Sequence, residues 1–597
     1  MYYNFLVPVP TDAKIVRQTK KGTTYVDFEY DRTYDKKAGY TIPKRSTIGK
    51  ISLEDSSKMW PNQNYIKYFP DVELPESLDS SKRSSLLRVG GYIVIKKVLE
   101  ETKIPELLER FYTDGDKKLI LDLVSYSLLT ENNAGQYFPD YEYNHPLFAK
   151  DMTIYSDTKV SDFLQGMTDD QRIAFLNEWN AIRDHRERIY ISYDATNKNC
   201  QAGDVDFAEY GYAKDDPSKK IINYSVAYDT QNREPLFYEE YPGSINDVSQ
   251  LRYTVDKAMG YGYRHIGFIL DRGYFNKKNF EYMDECGYGF IILVKGCKEL
   301  VRKLIKDSKG SFEKKRSCYI QDEGVAGITI KRKMFESDEK ERYFHLFYSL
   351  ERELKERNDF EEEIKSMSDQ MKKFEGKACT FPEKYEEYFK LFYHEIKEKV
   401  VVVDENNKAT EEEKEILKEK VFLFAKENEK VIEEKINLMG YFAIVTSDEM
   451  TAEQALKLYN SRDVSEKLFR SDKSFLDNHS FRVSSNESVK SKVFVAFIAL
   501  IVRNRIFSAL QDEIKRIGKK PNFMTVPAAL RELEKIEMVR LTDNSYYQDH
   551  AITKTQKTIL NAFKMDSQSI KYQAELIRKE LERIQKKYMK EDKNNEN

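Results

Sequence analysis

The chain has 597 residues, a net charge of −3, 13% aromatic residues, and only 24 glycines and 15 prolines. That composition excludes a disordered or collagen-like chain and a uniformly basic nucleic-acid coat. It leaves room for roughly three or four domains with at least one large core.

From the N-terminus, residues 1–83 read as a basic, β-rich region, with TTYVDFEYD, a DKKAG turn and YTIPKRSTIGKIS alternating in the manner of strands. Lys14, Arg17, Lys20, Lys21, Arg32, Lys36, Lys37, Lys44, Arg45 and Lys50 outweigh the acids there. A small basic sheet of this kind either lies on a DNA groove or forms a solvated meander. Residues 84–185 turn to helical periodicity, in LLRVGGYIVIKKVLEE, KKLILDLVSYSLLTE and KVSDFLQGMTDDQRIAFLNEW, and read as a helical bundle.

Residues 186–307 carry the first part of a candidate catalytic core. RIYISYDATN reads as a short strand ending in Asp194, with Tyr190, Ser192 and Asp194 on one face. IINYSVAYD and PLFYEEYPG follow as strands, then a helix over 247–259, then HIGFIL ending at Asp271 in DRGYF. A helix over 276–286 and the strand GFIILVK complete a mixed five-stranded sheet. Three strands, a helix and a strand is the opening order of an RNase H-like fold, which brings an acid on the first strand beside one at the end of the fourth. Two carboxylates held close do not both ionise comfortably without a cation, so Mg²⁺ is the natural third party.

An insertion over 308–437 begins with the strands GVAGITIKRKMF and RYFHLFYSL. It continues in ERELKERNDFEEEIKSMSDQMKKF and EEEKEILKEKVFLFAKENEKVIEEKI, whose mixed charges at i,i+4 spacing predict an exposed antiparallel helical hairpin. The core resumes over 438–515 with GYFAIVTS and an amphipathic helix expected from about 452 to 476. That helix carries Tyr459, Arg462, Glu466 and Lys473 at offsets of zero, three, seven and fourteen, all on one face. An aromatic, two cations and a lone acid on one face suit phosphate chemistry.

The segment YNSRDVSEKLFRSDK resembles the Tyr-x2-Arg-x3-Glu-x6-Lys signature of bacterial insertion-sequence DDE transposases of the IS-four type. DRGYF is similar to the segment around their second catalytic aspartate, and YDATN matches the first more loosely. The resemblance implies a DNA transposase that cuts and joins the ends of an insertion sequence. Asp194, Asp271 and Glu466 would be its catalytic and metal-binding acids, and Tyr459, Arg462 and Lys473 its DNA-binding residues. It also implies two Mg²⁺ ions (or Mn²⁺), double-stranded DNA as partner, a homodimer on DNA, and a cytoplasmic, nucleoid-associated bacterial protein. It favours contact between the N-terminal basic strands and the transposon end. The fold class expected is thus α+β and multidomain: an RNase H-like core interrupted by a long insertion and preceded by the β-rich and helical regions. A catalytically inactive end-binding protein, an RNase H-like nuclease without strand transfer, and a helical scaffold remain as alternatives.

Residues 516–597 form a C-terminal helical region, a helix, a short hairpin and a helix, that ends from about Gln568 in a charged helix fraying into a solvated tail. Cys200, Cys286, Cys297, Cys318 and Cys379 are widely spaced with no CxxC pair, which fits a reducing compartment and offers no zinc site. The start, MYYNFLVPVP, lacks the pattern of a signal peptide, and Val493–Val502 reads as a buried helix too short to span a membrane, so no membrane partner is expected.

Overall fold

The computed structural model describes residues 6–595 except 12, 21, 36–38, 54, 71–82, 184–187, 201–204, 215, 246, 295–297, 404–408, 464–479, 482, 484 and 542–544. Residues that alternate β-branched and aromatic side chains build its central sheet. In chain order, helix α1 (Asp169–Ala181) leads into β1 (Ile189–Cys200), β2 (Ile221–Asp229) and β3 (Glu234–Pro242). Helix α2 (Asp247–Gly260), β4 (Ile266–Leu270), α3 (Lys277–Glu285) and β5 (Gly289–Leu293) follow. Next come β6 (Tyr319–Ile320), β7 (Val325–Lys333), β8 (Glu341–Tyr348) and helix α4 (Leu350–Lys372). After a long hairpin the chain returns with β9 (Tyr441–Thr446), α5 (Ala452–Asn460), β10 (Ser480–Phe481) and α6 (Asn486–Ile517).

The sheet has ten strands in the order β6-β7-β8-β9-β5-β4-β1-β2-β3, with β10 paired to β1. The five strands expected from sequence form its β3-β2-β1-β4-β5 portion, antiparallel from β3 to β1 and parallel from β1 through β4 to β5. The insertion's first strands are not separate: β9 joins β5 on one side and β8 on the other, so they widen the same sheet. First-strand pairing also runs past the expected end at Asp194, to Asn199 opposite Ile221. Both faces of β1 and β2 are covered, which is why polar Thr196, Asn197 and Lys198 are buried there.

One face packs on α2, whose Leu251, Val255 and Ala258 are buried in the core, and on α3, with Phe237 meeting Tyr261 just past α2 at 5.2 Å and Phe280 meeting Phe290 at 4.7 Å. The other face carries two helices. Over β4, β5, β8 and β9, Ile269, Ile291, Phe347 and Ile444 pack with Ala452 and Leu456 of α5. Over β2 and β3 lies α6: Tyr238 meets Phe497 at 4.9 Å, and the Tyr228 hydroxyl donates to Asn504 Oδ1 at 3.2 Å. The edge strand β3 is blunted by α1, where Trp179 Nε1 donates to Pro235 O and Asn180 Nδ2 to Leu236 O, each at 3.0 Å.

Helix α6 is apolar nearly all round, as a core helix must be. It runs 32 residues, and by length and composition it could cross a membrane, contrary to the expectation that nothing reached that length; 78% of its most apolar window is buried inside the protein. Val493, Phe494, Phe497, Ile498 and Leu500 are fully buried, each contributing about 1.5–3 kcal/mol.

Helices from Gly90–Thr102 to Asp157–Gly166 pack against α6, and the strand Leu86–Arg88 pairs with Glu537–Arg540 of the C-terminal region. The N-terminal strands form a separate five-stranded sheet. Two expectations are corrected. The second half of the insertion is not a helical partner for α4, because Phe389–Val403 and Ala409–Glu427 pair as a long two-stranded ribbon, followed by a short helix over Glu429–Ile436. Phe389 and Phe422 of the ribbon pack with Phe360, Ile364 and Met367 of α4, a burial that isolated helix propensity cannot supply. The C-terminal helix, Ser567–Asn595, is no solvated tail over its first turns: Ile570, Ala574, Ile577, Leu581 and Ile584 are buried, and Lys587 pairs with Asp151 at 2.9 Å.

Candidate active site

Asp194 lies in the middle of β1, on the face shared with α5 and α6, and is partly buried. The parallel register of β1 and β4 pairs Tyr193 with Leu270. One residue further, Asp271 therefore stands beside Asp194, across a strand spacing of about 4.8 Å. Here β4 ends: Asp271 opens a short turn, its backbone oxygen accepting from Tyr274 N at 2.9 Å.

Helix α5 begins with a capping box, Thr451 and Gln454 satisfying each other's backbone N–H groups. It ends at Asn460, so the single helix expected to about 476 is corrected. Arg462 sits in the turn just beyond, where its N–H bonds to Tyr459 O at 3.1 Å. From that turn Arg462 Nη1 donates to Asp271 Oδ1 at 2.8 Å, with the Arg462 side chain 14% exposed and Asp271 40% exposed. The Arg462 guanidinium lies 5.2 Å from the Tyr459 ring centroid, a cation–π contact that braces it. Four of the six residues singled out from sequence, Asp194, Asp271, Tyr459 and Arg462, are thereby brought together. Glu466 and Lys473 lie outside the described residues.

Lys214, in the connection between β1 and β2, was not anticipated. Its Nζ donates to Ala195 O at 2.7 Å, which sets its charge beside Asp194. No sequence motif announced it, because it reaches the site through a loop fold-back. Burial pushes the Asp194 carboxyl up to about 6. Lys214, the Ala195 N–H (2.9 Å to Oδ1) and Arg462 pull it down, while Asp271 pushes it further up.

Two carboxylates side by side form a hard oxygen donor set, in which Asp194 accepts the Ala195 N–H and Asp271 accepts from Arg462. A divalent cation of the Mg²⁺ or Mn²⁺ kind fits that set. Among the described residues no group of three or more His, Cys, Asp or Glu gathers at one point.

The family described as "Transposase DDE domain" matches residues 186–502, more than half of the chain, from just before β1 into α6. The chain belongs to the DDE transposase family. Asp194 and Asp271 both fall inside the matched span, as do Tyr459, Arg462 and Lys214. The transposase is also similar to the piggyBac transposase of a cryo-EM synaptic complex with hairpin DNA, at a TM-score of 0.32 and 10% identity over 82% of each chain. No curated protein matches it.

Proposed function

We propose that this DDE transposase cuts and joins the ends of an insertion sequence of the IS-four type, with Asp194, Asp271 and Glu466 as its acidic triad on an RNase H-like core. The observation that carries the reading is the convergence at one sheet edge: Asp194 and Asp271 adjacent in register, with Arg462 of the signature segment bonded to Asp271. The β3-β2-β1-β4-β5 order supports the RNase H-like core. Glu466 is four residues beyond Arg462, a contour of at most about 14 Å. Ser480, past the far end of the same segment, pairs with Asn199 of β1. One flank of the glutamate thus reaches Asp271 at the end of β4, and the other returns to β1, the strand that bears Asp194.

Asp194, Asp271 and Glu466 would hold the divalent ions, which when bound supply a polarised water and neutralise charge on the reacting phosphate. In the first step the water oxygen bonds to phosphorus, the bond from phosphorus to the 3′ oxygen breaks, and that oxygen takes a proton to leave as a 3′-hydroxyl. Joining repeats the exchange with the 3′-hydroxyl as nucleophile on a second phosphodiester, so no bond energy is lost. Arg462 holds Asp271 in place through their ion pair. Tyr459 braces Arg462, and Lys214 offsets the buried charge of Asp194. Arg462 and Tyr459, with Lys473, would also position the end phosphates. The reading includes a homodimer on DNA in the bacterial cytoplasm.

The test incubates purified protein, and its Asp194→Ala, Asp271→Ala and Glu466→Ala variants, with Mg²⁺ and DNA carrying the sequences that flank the gene. Wild-type protein is expected to nick and join that DNA and each variant to lose both steps. Equal cutting by all four would remove the proposed site.

A further inference from the structure

The connection from β1 to β2 that carries Lys214 also holds two large aromatic side chains out in water. Tyr210 is 66% exposed and Tyr212 is 90% exposed. Their backbone is fixed at several points. Buried Asn197 of β1 donates from Nδ2 to Tyr212 O at 2.8 Å and accepts from Lys214 N at 3.0 Å. Ala213 N bonds to Gly211 O at 2.9 Å, a three-residue turn with Tyr212 at its apex. Glu209 and Ile221 exchange both backbone bonds, at 3.1 and 2.8 Å. Between the tyrosines, Gly211 presses so closely on the neighbouring loop that a Cβ there would stand 2.0 Å from Gly243 O. A side chain at 211 is therefore forbidden, and the two rings on either side are turned outward.

The clamp is continuous with the candidate active site. Two residues past Tyr212, Lys214 reaches Ala195 O and lends its charge to Asp194. A DNA strand whose phosphate lies at Asp194 and Asp271 would pass this cation first, and its neighbouring bases would meet the tyrosine rings. An exposed ring on a fixed backbone suits base stacking, since every base has a π-face and little order is lost on binding.

We propose that Tyr210 and Tyr212 form a stacking platform for unpaired bases of the DNA strand next to the reacting phosphate. The proposal rests on the transposase reading above for the position of that phosphate. A paired duplex keeps its bases stacked on one another, so the platform discriminates in favour of opened ends.

The experiment uses the full chain, with wild-type, Tyr212→Ala, Tyr212→Trp and Asp194→Ala proteins. The probes are duplexes of the gene's flanking sequence, either fully paired or with a few unpaired terminal bases that include 2-aminopurine. Binding is read by anisotropy, stacking by 2-aminopurine quenching, and cutting separately with Mg²⁺. Tyr212→Ala is expected to lose on the order of ten-fold in affinity for the unpaired probe, with the quenching, and little for the paired one. Tyr212→Trp is expected to restore both. Because Tyr212 packs on little, folding of its variants is secure, and circular dichroism checks it. If wild-type protein cuts while Tyr212→Ala binds and quenches as wild type does, the platform fails alone. Tyr212-dependent quenching without cutting, or cutting undiminished in Asp194→Ala, overturns the catalytic reading and leaves the platform standing. No binding of either probe by wild-type protein overturns the platform.

Discussion

Carboxyl groups raised by burial stand both in the helical region and beside β4 in the central sheet, and the two are held in different ways. In the helical region Asp122, fully buried, is pushed up to about 7 and Glu142 to about 8, chiefly by burial. Asp194 is pushed up to about 6 by the same cause. A raised carboxyl pKa therefore does not by itself mark a site. The difference lies in what the oxygens do. Both oxygens of Asp122 accept backbone N–H groups, from Phe148 at 2.8 Å and Ala149 at 2.9 Å, so the side chain latches a loop. Glu142 accepts from Tyr155 N at 2.9 Å through one oxygen, while its Oε1 is buried without a hydrogen bond among the described residues, so the contrast rests on Asp122. Asp194 accepts from its own neighbour Ala195, and a second acid and two cations converge on it from other parts of the chain. The latch has spent its acceptors on the fold, and the sheet-edge acid has kept capacity for something that arrives.

The sharpest way to break that contrast is activity. Asp271→Asn should lower Mg²⁺-dependent cutting by about a thousand-fold or more, equivalent to ~4 kcal/mol in the barrier. Asp122→Asn, assayed where it is fully folded, should cut within about two-fold of wild type, since the residue touches nothing at the sheet edge. Comparable losses in both variants would make the two acids one class after all.

Stability should then separate the two acids in size. Asparagine at 122 turns an amide NH₂ toward a backbone N–H that needs an acceptor, a cost of about 1–3 kcal/mol that offsets, above pH 7, the relief of removing a carboxylate that burial pushes up to about 7. Asparagine at 194 keeps the oxygen that accepts from Ala195 and removes an ionised group from a poor environment. The Asp194 carboxyl titrates at about 6 in the fold against an ordinary 3.8, so the folded chain holds its proton more tightly than the unfolded chain does. Stability is lost as pH rises from about 4 to about 6, and the full cost, about 2–3 kcal/mol, stands above that window. Asp194→Asn should accordingly be more stable than wild type at pH 8 and equal to it below pH 4. A variant less stable than wild type at pH 8 would show that Asp194 is a structural latch too.

Much of this contrast was legible in the chain, and the misses have physical causes. The strands up to Asp194 and Asp271 were readable because apolar runs end at a polar residue. The continuation of β1 through Thr196, Asn197 and Lys198 was not, because a strand buried by tertiary contacts on both faces need not look apolar. Helix α4 was read correctly from its mixed charges, with Ser349 accepting from Arg352 N at its start. The same charge pattern misled over 411–427, where long-range pairing to Phe389–Val403 outweighs helix propensity. The periodic Ile570, Ala574, Ile577, Leu581 and Ile584 stripe was visible but masked by the surrounding charge. Tyr459 and Arg462 were found through spacing, yet the two meet at a helix end and not along a continuous face. Lys214 left no trace in the sequence, since its place depends on the fold-back that Asn197 clamps.

The smallest expected effect probes the kept capacity directly. A ligand that binds only the folded chain stabilises it by RT ln(1 + [L]/Kd), about 1.4 kcal/mol at a concentration ten times Kd. Mg²⁺ at that level should raise the melting temperature of wild-type protein at pH 8 by ~1 °C, given the chain's size. Binding needs the ionised carboxylate, so the shift should shrink as pH falls through about 6, where Asp194 takes up its proton. Asp122 is fully buried with each oxygen on a backbone N–H, so Asp122→Asn should keep the Mg²⁺ shift in full while Asp194→Asn and Asp271→Asn lose it. Were the shift to persist in both sheet-edge variants, or to grow toward acid pH, the cation would be binding elsewhere. The convergence of two acids at the edge of β1 and β4 would then need another explanation.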